Sequence, residues 1–246
     1  MSVQIGTVKI RLIRHATLLL ELGGRRFLVD PQLDAAGARP PIENTPNQRP
    51  NPLVPLPIAA AEVIAGLDAV LVTHLHRDHF DATAEQLLPR NLPVFCQPED
   101  ERRLLDLGLD ARPVLDSVEW SGLTIHRTAA RHGTGAIGDR MAPSSGYAIG
   151  ALYLAGDSVW CPEVEQAIER HRPRVAVVNS GAARFLSGDP IVMTAADVAE
   201  VVARVPDVVA VHLEAINHCL LTRAELRQAV PQAHVPADGA ELEFAI

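Results

Sequence analysis

The sequence predicts an α/β protein in which helices cover β-sheet. Three observations predict it. The first thirty residues alternate apolar and polar side chains with the period of strands. From residue 58 onward, short apolar runs alternate with helical patterns. The 246 residues are 48% hydrophobic and 21% charged, a globular composition with material for a substantial core. Periodicity alone leaves open whether there is one sheet or two.

Val8, Ile10 and Leu12 alternate with charged or polar neighbours, and Leu18-Leu19-Leu20 continues the strand pattern. Gly23-Gly24 supplies a turn, Arg26 to Val29 returns as a strand, and Asp30-Pro31 ends it. Residues 31–57 hold eight of the 19 prolines and show almost no periodicity. That segment reads either as a surface excursion or as a rigid flap beside an active site. Helices are expected over Ile58–Ala65, Ala82–Leu88, Glu99–Leu107, Pro162–Arg170, Thr194–Arg204 and Arg223–Val230. Pro162 suits a first helical turn, and Thr194 suits an N-cap. Strands are expected at 69–72, 94–96, 175–178, 208–211 and 241–246. Val118–Ala129 reads as a hairpin turning at Ser121-Gly122, and Tyr147–Ala155 as two strands meeting near Gly150. No repeat, low-complexity tail or interdomain linker is visible, so a single domain over 1–246 is expected.

The formal net charge is -8, and basic residues occur at most as pairs such as Arg25-Arg26 and Arg102-Arg103. A nucleic-acid binder needs a basic face, so the charge opposes that partner while allowing a small anionic substrate. Cys96, Cys161 and Cys219 are far apart and form no CxxC pair or disulfide framework. The N-terminal stretch lacks the pattern of a leader peptide, and no apolar run approaches the roughly 18 residues of a membrane span. A cytoplasmic protein is the expectation, and homo-oligomers are compatible with the sequence.

The chemistry concentrates after the strand at 69–72, in Thr73-His74-Leu75-His76-Arg77-Asp78-His79. Three imidazoles and a carboxylate within six residues suit a borderline divalent metal. On extended backbone His74 and His76 point the same way, and a turn beyond them could bring Asp78 and His79 to a second metal. So many titratable groups beside an apolar strand are costly without a charge to coordinate. The plain alternative is a polar loop rich in histidine.

HxHxDH after an apolar strand resembles the metallo-β-lactamase superfamily, and further matches follow in order from about Arg11 to His218. Asp30 in FLVDP resembles the early aspartate that hydrogen-bonds a ligand histidine. His132 in AARHGTG resembles the next metal histidine, and Asp157 in LYLAGDS the aspartate that bridges two metals. His212 in VVAVHLEAINH resembles the last ligand, with His218 as the competing choice. The stretches IRHATLLLELGGRRFLVDP and VVNSGAARF are similar to the branch containing ascorbate-6-phosphate lactonase and N-acyl phosphatidylethanolamine phospholipase D. The resemblance implies a four-layer αββα sandwich of two mixed sheets, with metals at one edge between them. His15 stands where similar enzymes carry a GHA motif, although Arg14 replaces the glycine. Asn179, Ser180 and Gly181 lie where such folds place substrate loops. Arg140 and Arg184 are candidates for an anionic group, although a solvated surface arginine is the favoured reading of both, and Cys219 reads as a packed small side chain.

The implied mechanism places one metal on His74, His76 and His132 and a second on Asp78, His79 and His212, with Asp157 bridging. A hydroxide between two cations would attack an ester, lactone or phosphodiester, with Asp78 orienting it or relaying a proton. Zinc is the expected metal, with manganese and iron as alternatives. Asp30, His15, His218 and Asn179 are expected to support ligands or touch the small-molecule substrate. The competing readings are an iron-dependent oxidoreductase on the same fold and a non-catalytic metal-binding protein. Flavodiiron-type proteins tend to place Glu where His76 stands, which opposes the first.

Overall fold

A computed structural model describes residues 6–246. The first five residues, part of the stretch read for a leader, lie outside the described residues. Thirteen strands form two mixed sheets. The first sheet contains β1 (Thr7–Arg14), β2 (Thr17–Leu22), β3 (Arg25–Val29), β4 (Ala69–Leu71), β5 (Pro93–Cys96), β6 (Asp110–Pro113) and β13 (Glu241–Ala245), in the order β13-β1-β2-β3-β4-β5-β6. The second contains β7 (Ser117–Trp120), β8 (Leu123–Ala129), β9 (Ser145–Ile149), β10 (Leu152–Leu154), β11 (Val175–Asn179) and β12 (Asp207–Val211), in the order β12-β11-β10-β9-β8-β7.

Alternation along the strands builds the layers. Phe27 and Val29 face inward, against Ile125, Tyr147, Leu154 and Val177 of the other sheet. Leu28, between them in sequence, faces outward with Val70 and Val94. Helices α1 (Ala60–Val63), α2 (Ala82–Leu87) and α3 (Glu101–Asp106) cover that outer face through Val63, Ala84 and Leu104. A four-residue helix, α4 (Gly135–Gly138), follows β8. On the far side, α5 (Pro162–His171), α6 (Ala195–Val202) and α7 (Arg223–Ala229) cover the second sheet through Val164, Ile168, Val198, Val201 and Leu226. The result is a four-layer αββα sandwich, as the resemblance implied. Each fully buried Leu, Val or Phe in these layers contributes roughly 1.5–3 kcal/mol relative to exposure.

Local sequence explains the element ends. Thr194 and Thr222 each cap a helix, and each is answered by an acid three residues on, Asp197 and Glu225. The helix expected over Ile58–Ala65 contracts to four residues, with Ala59 offering no side-chain cap. The helix expected from Glu99 begins with a 3-10 turn at Pro98–Asp100. Strand β6 and helix α4 carried no signal: Asp-Ala-Arg-Pro lacks alternation and occupies a sheet edge, where proline is tolerated.

Strand direction matters most for function. In the first sheet β1, β3 and β4 run parallel to one another, because β1–β2 and β2–β3 are both antiparallel and β3–β4 is parallel. In the second, β8, β10, β11 and β12 share one direction by the same reasoning. The C-terminal ends of seven strands therefore open onto common sheet edges. A backbone hydrogen bond from His212 N to the His15 carbonyl, 2.9 Å, ties the two edges together.

Candidate metal centre

Apart from His218, Arg140 and Arg184, the candidates singled out in the sequence leave the C-terminal ends of those strands. His15 follows β1, Asp30 follows β3, and His212 follows β12, each in the left-handed region with φ of 59°, 43° and 68°. Non-glycine residues there are uncommon and strained, and they turn the chain sharply off the sheet so that the side chain faces the edge. His74 to His79 follow β4, His132 follows β8, Asp157 follows β10, and Asn179 ends β11.

The side chains converge in two groups. His74 Nε2 lies 3.0 Å from His76 Nδ1, and His132 Nε2 lies 3.4 Å from the same atom. Asp157 Oδ2 stands 3.5 Å from His132 Nε2 and 3.8 Å from His74 Nε2. The other oxygen, Asp157 Oδ1, stands 3.3 Å from His79 Nε2 and 3.4 Å from His212 Nε2, which are themselves 3.3 Å apart. Asp78 Oδ2 completes the second group at 3.9 Å from His79 and 3.7 Å from His212. One carboxylate thus faces both groups, an oxygen to each.

The donor set fits divalent cations. Tetrahedral zinc with bonds of about 2.0–2.1 Å separates its ligand atoms by roughly 3.3 Å, the scale of these edges. Tautomers agree. The Thr73 hydroxyl donates to Asp30 Oδ2 at 2.7 Å, so its oxygen accepts from His74 Nδ1 at 3.0 Å, leaving Nε2 with a lone pair. His132 Nδ1 donates to the Ile191 carbonyl at 2.9 Å and His79 Nδ1 to Asp30 at 2.8 Å, freeing Nε2 in both. His212 Nδ1 meets Cys219 Sγ at 3.4 Å. Such outer hydrogen bonds orient metal-binding imidazoles and fix their tautomer.

The electrostatics prepare the same state. Burial pushes the His74 and His76 pKa values down, with neighbouring imidazoles adding to the effect, and brings His212 to about 3. Burial would raise Asp78 and Asp157, but the surrounding histidines outweigh it and hold both well below the usual carboxylate range. His79 is the exception. Burial lowers its pKa, yet Asp157 and Asp30 on either side overcome that and raise it. Positive charge is thereby drawn to the group that His79 forms with Asp78 and His212.

Around this centre lies a cavity of about 240 Å³. Ile42, Met141, Phe185, Ile191 and Ile216 supply its apolar wall, with Arg39, Asn51, Arg77 and His218 among the polar lining. His15 belongs to the second group, a ring nitrogen lying within 4.8 Å of the Asp78, His79 and His212 donor atoms, with Nε2 3.2 Å from Asp78 Oδ2 and its ring 3.7 Å from that of His212. Asn179 does not line the cavity; its amide donates to Asp157 Oδ1 at 2.6 Å. His212 joins the cluster and His218 the cavity wall. Arg140 and Arg184 are both exposed and neither lines the cavity, as the surface reading of both had it. The arginines that do, Arg39 and Arg77, and the amide of Asn51 escaped notice because nothing local distinguishes them from surface residues. Cys219 is buried as expected but also touches a candidate ligand.

A two-sheet sandwich with a histidine- and aspartate-lined edge is an architecture that metal-dependent hydrolases share. Residues 25–213 match the beta-lactamase superfamily domain, and the chain belongs to that superfamily. The UPF0173 protein YddR of Bacillus subtilis is 34% identical, over 94% of this chain and 98% of its own length. An isothiocyanate hydrolase from Delia radicum gut bacteria shares the fold with a TM-score of 0.90 and 32% identity, covering 97% of this chain and all of its own. A possible metal-dependent hydrolase from Veillonella parvula superposes with a TM-score of 0.91 at 32% identity, covering 95% of this chain and 98% of its own. Among the described residues, no helix is long and apolar enough to cross a membrane.

Proposed function

We propose that this protein is a binuclear metal-dependent hydrolase of a small molecule. The observation that carries the reading is Asp157, whose two oxygens face two separate clusters of lone-pair nitrogens. His74, His76 and His132 would hold one cation, Asp78, His79 and His212 the other, and Asp157 would touch both. Cations held there would lower the pKa of bound water towards neutrality and would stabilise developing oxyanion charge.

The chain's own residues do the rest. Asp30, Thr73 and the Ile191 carbonyl hold the imidazoles in the tautomers that leave lone pairs inward. His15 holds Asp78 in place, where its carboxylate can take a proton from an attacking water or return one to the leaving group. The apolar wall excludes water from the substrate. A cavity of about 240 Å³ is below the size of drug-like sites, which favours a compact molecule over nucleic acid. Zinc is the metal of choice for this donor set, with manganese and iron able to replace it. Three buried, unpaired cysteines agree with a reducing cytoplasm.

Suitable bonds are esters, lactones, phosphodiesters and, in view of the relative from Delia radicum gut bacteria, isothiocyanates, whose central carbon takes up water as a carbonyl does. The test begins with elemental analysis of protein purified without chelator or affinity metal. About two equivalents of zinc or manganese per chain, with turnover in a screen of these four bonds and its loss in His76→Ala, is the expected result. Tightly held iron would redirect the reading to redox chemistry. No metal on purification or reconstitution would sink it.

A further inference from the structure

The cavity has a second polar end, supplied by the proline-rich segment. Four polar residues other than the metal-facing ones line it, and two of them, Asn51 and Arg77, are committed or peripheral. Asn51 spends its amide within the protein, donating to Asn217 Oδ1 at 2.7 Å and accepting from Asn217 N at 2.9 Å. Arg77 is paired with Glu85 at 3.0 Å and its side chain is more than half exposed, at the rim. His218 lies against the Phe185 ring, buried, with Nδ1 unpartnered. Arg39 differs from His218 in carrying a fixed charge. Asp34 Oδ2 lies 2.9 Å from its Nε as an ion pair, yet Nε and Nη2 are both buried and without a hydrogen-bond partner.

The segment that carries Arg39 is held in place. Arg39 and Asn51 exchange both backbone hydrogen bonds, each 2.8 Å. Asn217, fully buried, donates to the Ile42 and Asn47 carbonyls and to Thr45 Oγ1, and accepts from Ile42 N. Arg14, also fully buried, grips the carbonyls of Gln32, Asp34 and Val54. Asp34 is fixed in turn, its Oδ1 accepting from Thr83 N and Oγ1. The guanidinium is therefore a preset fork rather than a tethered surface charge.

We infer that Arg39 is a specificity-determining residue that receives a carboxylate of the substrate, so that the protein acts on small monoanions with an apolar body. Asp34 already offsets part of the arginine's charge, and the side chain, 21% exposed and lining the cavity, has room for one further anion. A single charge suits a carboxylate better than a doubly charged phosphate. The apolar body lies along Ile42, Ile191 and Ile216, and the bond to be broken reaches the metal cluster. His218 serves as a second hydrogen-bonding group on that path. An unpaired donor withdrawn from water is unfavourable until a ligand meets it, and charged hydrogen bonds to a planar carboxylate are the strong ones.

This inference rests on the proposed hydrolase site, but its test needs no turnover. Calorimetry on the zinc-loaded protein compares phenylacetate with the neutral isostere phenylacetamide. The parent should prefer phenylacetate on the order of ten-fold, and Arg39→Gln should erase that preference while keeping its affinity for phenylacetamide. Should Arg39→Gln bind neither, Arg39→Lys decides: a retained preference supports the assignment, and binding of both without preference overturns it. A parent without preference, or a preference that survives in Arg39→Gln because the metals hold the carboxylate, also overturns it. Failure of the hydrolase reading would instead appear as missing turnover of all four bond types by the same zinc-loaded protein, which leaves the Arg39 binding comparison readable.

Discussion

Single residues decide whether the cluster can hold a cation at all. Asp30 is the most heavily used, accepting from Thr73 N at 2.8 Å, from the Thr73 hydroxyl and from His79 Nδ1. Through Thr73 it sets the tautomer of His74, and directly that of His79, one imidazole in each group. Asp30→Ala should weaken metal affinity by about 10–100-fold, measured by competition with a chromophoric chelator. Parent-like affinity would remove Asp30 from that role. A second carboxyl affects stability away from the metals. Burial pushes Asp100 up to about 6 from its ordinary 3.8, with the Gln97 amide opposing the shift at 2.9 Å. The raised folded-state value means that the native protein holds this proton while the unfolded chain has released it. Stability from this group therefore falls as pH rises from about 4 to about 6, and stays at the lower level above that range. Asp100→Asn should flatten that part of the stability–pH curve and raise the melting temperature at pH 7. An unchanged curve would mean that the carboxyl titrates normally.

At the scale of elements, position follows from strand direction. Seven strands deliver their C-terminal ends to common edges, and residues on those ends meet without any being close in sequence except the 74–79 group. The packing there is tight. Gly181, two residues past β11, lies so near the His212 carbonyl that an added Cβ would come within 2.2 Å of it and within 2.9 Å of the Cys219 Cβ. Both neighbours belong to the segment after β12, so Gly181→Ala should displace His212 and His218 together. The expected cost is about 1–3 kcal/mol in urea unfolding, as for other overpacked sites, with a drop in metal stoichiometry. Unfolding within about 0.5 kcal/mol of the parent would show that the segment can yield.

For the whole molecule, metal and fold are linked. Without cations, Asp78, Asp157 and the imidazoles of His74, His79, His132 and His212 face one another out of water. A ligand that binds only the folded state stabilises it by about 2.7 kcal/mol at a hundred-fold excess over its dissociation constant. In a chain of this length that is a change in melting temperature of about 5–10 °C. Chelation should lower the melting temperature by that amount, and added zinc should restore it. A melting temperature indifferent to chelator would mean that the site is empty or that the metal binds equally to the unfolded chain.

Much of this was legible in the residues alone. The alternation in β1 to β3, the capping signal at Thr194 and the cluster from His74 to His79 are local properties, set by side-chain period, hydrogen-bonding to neighbouring amides and the density of titratable groups. The order of further matches, from Asp30 through His132 and Asp157 to His212, carried the sandwich and the candidate ligands. Short or edge elements such as β6 and α4 were invisible because their stability comes from neighbours rather than from their own pattern. The choice of His212 over His218 rested only on its place directly after the apolar run, in a seven-residue stretch holding both. A left-handed turn at His212, fixed by its hydrogen bond to His15 on the opposite sheet, sends one imidazole to the cluster and leaves the other on the cavity wall. The same holds for Arg39 and Asn217. Their partners are distant in sequence, and only the packing of the two sheets brings them together, because long-range contacts leave no periodic trace in the chain.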